Sequence, residues 1–313
     1  MKPHHLTRAR ALALGAAALV APRIASAQAA TVRVGASAAA TQAEAYYGEQ
    51  LGVFRDAGIK TTSTIVTRSS DSLSALLRGD LDVGSTTPQV IANAIIHGLP
   101  IQVIATGGIY AGDPRPVQLV VSKKAPLHNE ARYYEDKTIA VQTLNDSQSV
   151  GMLAWLQQHH AATNRVKFVE ITFPTIPAAL DRGEVTAGCL VEPFISANAE
   201  LLREVPHVYD ALGTHWALGA WFARKDWIAK DPSLVRAFVG ALYATAKKVN
   251  PNPSMVDELL AAYSKLPIEK VRVTPKPIWA EKAERTNLEP QIQAAAEFKI
   301  ISRPVSYHEM TGA

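Results

Sequence analysis

The chain has 313 residues, 48% of them hydrophobic and 19% charged, with 32 Lys and Arg against 28 Asp and Glu. Four of those cations, Lys2, Arg8, Arg10 and Arg23, fall in the first 29 residues, which hold no acid, so the rest carries 28 of each sign. The basic balance belongs to the N-terminus, and no charge argument for a nucleic-acid partner or an anionic membrane survives.

Residues 1–29 combine a basic head, the apolar run ALALGAAALV and an Ala-x-Ala end at ASAQA, which is the pattern of a secretory signal peptide. A bilayer span needs about 20 apolar residues, more than this run offers. No later apolar run is long enough, so a mature chain from residue 30 is expected to be soluble. The Arg8 and Arg10 pair hints at twin-arginine export, although Ala9 separates the two.

From residue 31 the pattern alternates. TVRVGAS reads as a strand, and TQAEAYYGEQLGVFRDAG as a helix interrupted at Gly52 and ended at Gly58. Tyr46, Tyr47, Leu51 and Phe54 fall at helical spacing and form an apolar stripe for the sheet. TTSTIVTR is a second strand, SSDSLSALLRGD a capped helix, and LDVGSTT a strand with a polar end. PQVIANAIIHG and LPIQVIATGG are a helix and a strand. The second half repeats the style. QLVVSKK and KTIAVQT are strands, SQSVGMLAWLQQHH a helix, VKFVEITF a strand, IPAALDRG a helix and TAGCLVE a strand. HWALGAWFARKDWI reads as extended, and the chain from Pro232 on as mostly helical. Strands alternating with helices of this length imply an α/β fold with mostly parallel sheets covered on both faces.

Catalytic signatures are missing. The chain has no G-x-S-x-G, H-E-x-x-H, P-loop or G-x-G-x-x-G sequence. Cys189 is the single cysteine, so no disulfide forms within the chain, and its apolar neighbours suggest a buried hydrophobe. His159 and His160 are adjacent, which on a helix turns them about 100° apart and away from one metal ion. Neither a metal nor a cofactor is expected, and the reading is of a protein that is not an enzyme.

The strand ends carry the candidate site. In open α/β sheets ligands bind beyond the carboxyl ends of the strands. Here those ends hold Ser37 and Thr41, Arg68 with Ser69 and Ser70, Ser85 with Thr86 and Thr87, and Thr143, Asn145 and Ser147. Each cluster runs into a helix, whose free N–H groups favour an anionic or strongly polar ligand. Capping of its own helix is the more common role of any one such hydroxyl. Arg68 offers a bidentate fork to a carboxylate or sulfonate. Glu192 is placed to accept from an amine or to lock two lobes by a salt bridge. Trp216 and Trp221 flank an extended stretch and are able to stack a flat ligand, Trp155 reads as core, and Asp146 as a helix cap.

Taken together, YYGEQLGVFRDAGI, ALLRGDLDVGST, DKTIAVQTLNDSQ, ALDRGEVTAGCLVEPF and DWIAKDPSLVRAFVGALYATAKKVN resemble, in order and spacing, the nitrate/sulfonate/taurine-type solute-binding proteins of ABC importers. That group shares its fold with thiamine-pyrimidine-precursor-binding proteins. The resemblance runs from residue 31 to about 301, with two departures: Thr186 stands where the family usually has Asp, and Val191 where many members place an aromatic. It implies a two-lobed periplasmic-binding-protein type II fold with the ligand cleft between the lobes. Lobe I would take residues 30–108 and 217–313 and lobe II residues 109–216, with crossings near 106–114 and 214–223. It further implies a monomer in the periplasm that captures a small anionic or polar solute and delivers it to an inner-membrane ABC permease. An enzyme of the same fold, acting on a pyrimidine or small acid, and a periplasmic sensor partner are the alternative readings.

Overall fold

Two five-stranded sheets joined by a small third sheet make up the computed structural model, which describes residues 30–312. The expected signal peptide lies outside the described residues. The first sheet is built from β1 (Ala30–Ser37), helices α1 (Glu44–Gln50) and α2 (Val53–Asp56), β2 (Ile59–Val66), α3 (Asp71–Arg78), β3 (Val83–Thr86), α4 (Pro88–Ile96) and β4 (Ile101–Thr106). Strand β5 (Gly108–Tyr110) then leads out of it. The second sheet takes β6 (Val117–Ser122), β7 (Thr138–Val141), α5 (Ser147–Gln158), β8 (Lys167–Glu170), α6 (Ile176–Asp181), β9 (Ala187–Val191), α7 (Phe194–Ala197) and β10 (Leu202–Val205). The chain returns through β11 (Trp216–Ala217) and β12 (Ala220–Arg224). It finishes with α8 (Lys225–Lys230), α9 (Pro232–Val249), α10 (Asp257–Ser264), α11 (Ile268–Arg272), β13 (Ile278–Trp279), α12 (Glu289–Glu297) and α13 (Tyr307–Thr311).

The strand orders are β2-β1-β3-β12-β4, β10-β6-β9-β7-β8 and, between them, β11-β5-β13. β1 runs parallel to β2 and β3, and β7 runs parallel to β8 and β9. β12 opposes β3 and β4, and β6 opposes β9 and β10. These opposed strands are the ones that arrive from the other sheet. Both sheets turn their carboxyl ends to the junction, so a chain entering from the junction runs against the rest. This is the two-lobed α/β architecture implied by the sequence. Full burial of β6 and β9 on both faces matches their unbroken apolar runs.

The interrupted first helix follows the expected chemistry. Gly52 stands at φ 75° between α1 and α2, and Gly58 at φ 75° turns the chain into β2, a conformation that a Cβ disfavours. The apolar stripe meets the sheet as read, with Phe54 in one core cluster with Val32, Val34 and Ile59, and it has a second partner in the C-terminal segment. Phe54 stacks on Phe238 of α9 at 5.1 Å, Tyr47 meets Trp279 edge-on at 5.5 Å, and Tyr46 packs on Tyr263 of α10 at 4.9 Å. The stripe is therefore buried between the first sheet and the C-terminal segment.

Three short elements depart from the sequence reading. β10 and β13 were not anticipated, because four and two residues at the edges of sheets carry too little alternation to register. Residues 225–230, read as extended, form α8, whose Asp226 side chain accepts from the Trp227 N–H at 2.8 Å. The C-terminal residues expected to complete lobe I place β12 in the first sheet, while α11 packs on α7 and α12 on α5 of the second.

Close approach at the crossings makes one glycine indispensable. A Cβ on Gly108 would sit 2.6 Å from the Thr41 carbonyl oxygen, whereas one on Gly219, across the same crossing, meets nothing nearer than 3.7 Å. Gly108→Ala is expected to destabilise by about 1–3 kcal/mol, the usual cost of overpacking, and Gly219→Ala by far less. Thermal denaturation of the two variants checks this contrast.

Candidate functional site

The carboxyl ends of the two sheets face each other, and polar side chains fill the junction. In the first lobe β1 and β3 pair with Gly35 opposite Gly84, and both then end in hydroxyls, Ser37 and Thr86. Ser37 donates its N–H to Gln42 Oε1 at 3.0 Å, and its carbonyl accepts from Tyr263 OH at 2.7 Å. One hydroxyl, Ser72 Oγ, donates to the carbonyls of Ser69 (2.6 Å) and Ser85 (2.9 Å), tying the start of α3 to the end of β3.

The hydroxyls expected to cap helices mostly do not. Thr87 occupies the N-cap of α4 and Ser70 that of α3, and neither side chain bonds the helix it precedes. Ser37 Oγ, Thr86 Oγ1 and Thr87 Oγ1 are buried and have no hydrogen-bond partner. The same holds for Nε of Arg68, whose side chain leaves the end of β2 half-buried while its backbone N–H donates to Asp71 Oδ2 at 2.9 Å. Among the described residues the Arg68 guanidinium makes no ion pair. Buried polar groups are nearly always satisfied in folded proteins, so a cluster of unsatisfied ones needs a reason.

The second lobe supplies the facing wall. Asp146 caps α5, accepting from the N–H groups of Gln148 (2.9 Å) and Ser149 (3.0 Å), as the sequence indicated. Burial pushes its carboxyl up to about 7 against the lowering effect of those bonds. Glu192, after β9, is likewise raised to about 7 by burial, with Ser196 pulling the other way. Its carboxylate accepts from Ser196 N–H (3.1 Å) and Oγ (2.9 Å). The link between the lobes here is its backbone carbonyl, which accepts from Ala40 N–H at 2.9 Å. The anticipated salt bridge is replaced by a main-chain bond, and no ion pair to Glu192 occurs among the described residues.

Other bonds cross the junction. Gln142 Nε2 donates to the Thr67 carbonyl and Ser70 Oγ meets Thr143 Oγ1, both at 3.4 Å, while Ser147 Oγ donates to Gln89 Oε1 at 2.7 Å. Thus Ser37, Arg68, Ser70, Thr86, Thr87, Thr143, Ser147 and Glu192 belong to strand ends that meet. Ser69 and Ser85 lie among them as buried backbone anchors of Ser72. Thr41 is buried against Gly108. Asn145 instead points to solvent at φ 63°, a left-handed position that asparagine tolerates. Trp216 is fully buried and stacked on Tyr110 at 5.1 Å, with its ring N–H donating to the Gly213 carbonyl. Trp221 lies in the first-lobe core, and Trp155 packs on Tyr134.

Sequence reasoning missed Gln42, Glu44, Gln89 and Gln291, all buried. Glu44 Oε2 accepts from Trp221 Nε1 at 2.9 Å, and full burial holds its carboxyl well above the usual range. No local signal marked Gln89, which shares its helix with a second polar residue, Asn93. Cys189 is buried as read, its thiol pushed up to about 12 by burial, which leaves it a poor nucleophile. An open cavity of about 440 Å³ lies outside the junction, lined by Ile104, Val239, Tyr243 and Tyr307 among others. It holds none of the unsatisfied polar atoms, and the junction is therefore the better candidate.

Comparison with known proteins gives a concordant picture. Residues 40–256 match the family described as NMT1/THI5 like. The chain is 24% identical over 204 residues to the taurine-binding periplasmic protein of Escherichia coli K12, a match covering 62% of this chain and 60% of that one. Its structure superposes on the ligand-binding component of an ABC-type import system from Staphylococcus aureus, with a TM-score of 0.79 at 13% identity, covering 90% of this chain and 96% of that one. The alkanesulfonate-binding protein SsuA from Xanthomonas axonopodis bound to MOPS gives a TM-score of 0.73 at 19% identity, covering 91% and 99%. At such identities the likeness is one of fold.

The two raised carboxyls set a pH dependence. Unfolded carboxyls ionise near about pH 4, whereas Asp146 and Glu192 hold their protons to about 7 in the fold. Between those values the folded chain binds more protons than the unfolded chain, so stability falls as pH rises through this window. Asp146→Asn keeps the cap and removes the titration, and is expected to flatten the fall in melting temperature between pH 5 and pH 8.

Proposed function

The chain belongs to the NMT1/THI5-like family, and on that premise we propose that it is the periplasmic solute-binding component of an ABC importer. It takes a small organic oxyanion, with an alkanesulfonate such as taurine first and carboxylates and nitrate-like anions next. The observation that carries this reading is the set of buried, partnerless donors at the strand ends: the hydroxyls of Ser37, Thr86 and Thr87 with Nε of Arg68. An unsatisfied buried polar group costs about 1–3 kcal/mol. An anion with three acceptor oxygens relieves several such costs at once, and the guanidinium supplies the opposite charge. The stacking of Trp216 on Tyr110 and the burial of Trp221 in the core leave these rings to packing. That favours a compact oxyanion over a flat aromatic ligand.

Binding and release follow from the crossings. Lobe I takes residues 30–108 and 217–313, lobe II residues 109–216, and the lobes rotate about the chain segments on either side of the small sheet. Ligand donors come from lobe I, while Thr143 and Ser147 close over it from lobe II. A ligand that bonds both walls stabilises the closed form selectively, which is what drives closure. The closed form then docks on the inner-membrane permease and yields its cargo, and the protein works as a monomer without a cofactor and without chemistry on the ligand.

A thermal-shift series with taurine, ethanesulfonate, nitrate and benzoate tests this, with mass spectrometry on the recovered ligand. A sulfonate is expected to raise the melting temperature and come back unchanged; recovery of a different compound would sink the receptor reading in favour of an enzyme. Arg68→Ala is expected to weaken binding by tenfold or more. Thr86→Val removes a partnerless hydroxyl at nearly constant shape, so it is expected to stabilise the ligand-free protein by about 1 kcal/mol and weaken binding. Calorimetry on both variants reads these effects.

A further inference from the structure

The family match ends at residue 256, yet the segment beyond it reaches both lobes. On one side α11 packs on α7, and Lys270 pairs with Glu200 at 3.1 Å. On the other, α12 lies between α4 of lobe I and α5 of lobe II. Its Gln291 sits at a fully buried polar node. Gln291 Oε1 accepts from Gln89 Nε2 at 2.9 Å and from Ser147 Oγ at 3.2 Å. Ser147 Oγ lies nearer to Gln89 Oε1, at 2.7 Å, so its single proton is shared between a Gln of lobe I and a Gln of the C-terminal segment, and the two amides bond each other. Gln291 Nε2 is fixed in turn by the carbonyls of Ala217 (2.8 Å), at the return crossing, and Asn287 (3.0 Å).

We propose that this cluster is a clasp: Gln291 is a positioning residue that joins the two lobes and sets how readily they part. Every polar atom of the Gln291 side chain has a partner, in contrast to the unsatisfied hydroxyls of the neighbouring strand ends. The node is dry, since Gln89, Ser147 and Gln291 are 0%, 1% and 0% exposed. Parting the lobes separates Gln89 from Ser147 and leaves buried amides to be resolvated, so opening is opposed by hydrogen bonds that form without the ligand. Their loss is expected to favour the open arrangement about tenfold, the effect of roughly one net hydrogen bond. The consequence for ligand release rests on the receptor reading above; the clasp itself does not.

Spin labels at Lys60→Cys and Lys167→Cys, exposed on the outer strands β2 and β8 of the two lobes, report lobe separation without any ligand. Cys189 is 0% exposed and stays unlabelled. Pulsed dipolar distance measurements are made on the labelled chain and on the same chain with Gln291→Leu or Ser147→Ala. Both variants are expected to move population from the short to a longer distance. Ser147→Ala deletes a single oxygen and keeps the test valid if Gln291→Leu folds poorly. Distance distributions of the folded variants that superimpose on the parent's would overturn the clasp. Failure of every sulfonate to bind would count against the proposed ligand and leave this measurement unaffected.

Discussion

The main-chain hydrogen bonds of β5 hold the molecule's geometry. β11 and β13 pair on either side of it, through Trp216 with Tyr110 and Trp279 with Gly108, and Gly107 N–H reaches the Gly219 carbonyl at 2.9 Å. Both crossings between lobes and the C-terminal return thus meet in one narrow strip of sheet. Because the strip joins the carboxyl ends of two parallel sheets, it forces β6 and β12 to run against their neighbours. It also aims the starts of α3, α4 and α5 at a shared space. Side chains larger than hydrogen have no room where Gly108 passes Thr41, so a close backbone approach holds the start of β5 against the loop that follows β1.

That shared space is assembled against the ordinary preference of a folded chain. Interiors satisfy their polar groups, and much of the junction follows suit: Ser72 is engaged with two carbonyls, Asp146 caps α5, and Glu192 is spent on Ser196. Among the buried groups left without a partner, those of Ser37, Thr86, Thr87 and Arg68 belong to the strand ends of the first-lobe wall. A site that keeps donors dry and unpaired stores free energy for a ligand able to accept from them. Glu44, held by Trp221 beside the crossing glycines, is a carboxyl that burial pushes away from ionisation.

The C-terminal third completes both lobes. Its aromatic residues, Phe238, Tyr263 and Trp279, cover the stripe of the first helix, and its later helices reach across to the second lobe. The C-terminal third therefore ties the two sheets together, with α12 packed against both α4 and α5.

The sequence by itself determined the alternation of strand and helix, the breaks at Gly52 and Gly58, and the polar strand ends of the junction. Each of these is a local property: apolar period, backbone freedom without a Cβ, or a hydroxyl beside a helix start. It did not reveal β10 or β13, whose few residues are strands only because a neighbour lends them hydrogen bonds. Nor did it distinguish a serine that caps its helix from one left without a partner. Thr87 and Asp146 both precede a helix, and only the arrangement around them leaves the first unpaired and engages the second. Gln89 and Gln291 stand 202 residues apart, and nothing local to either one marks it. Whether a polar group is satisfied depends on atoms distant in the chain, so tertiary structure alone decided which of the polar strand ends are free to bind and which are already joined.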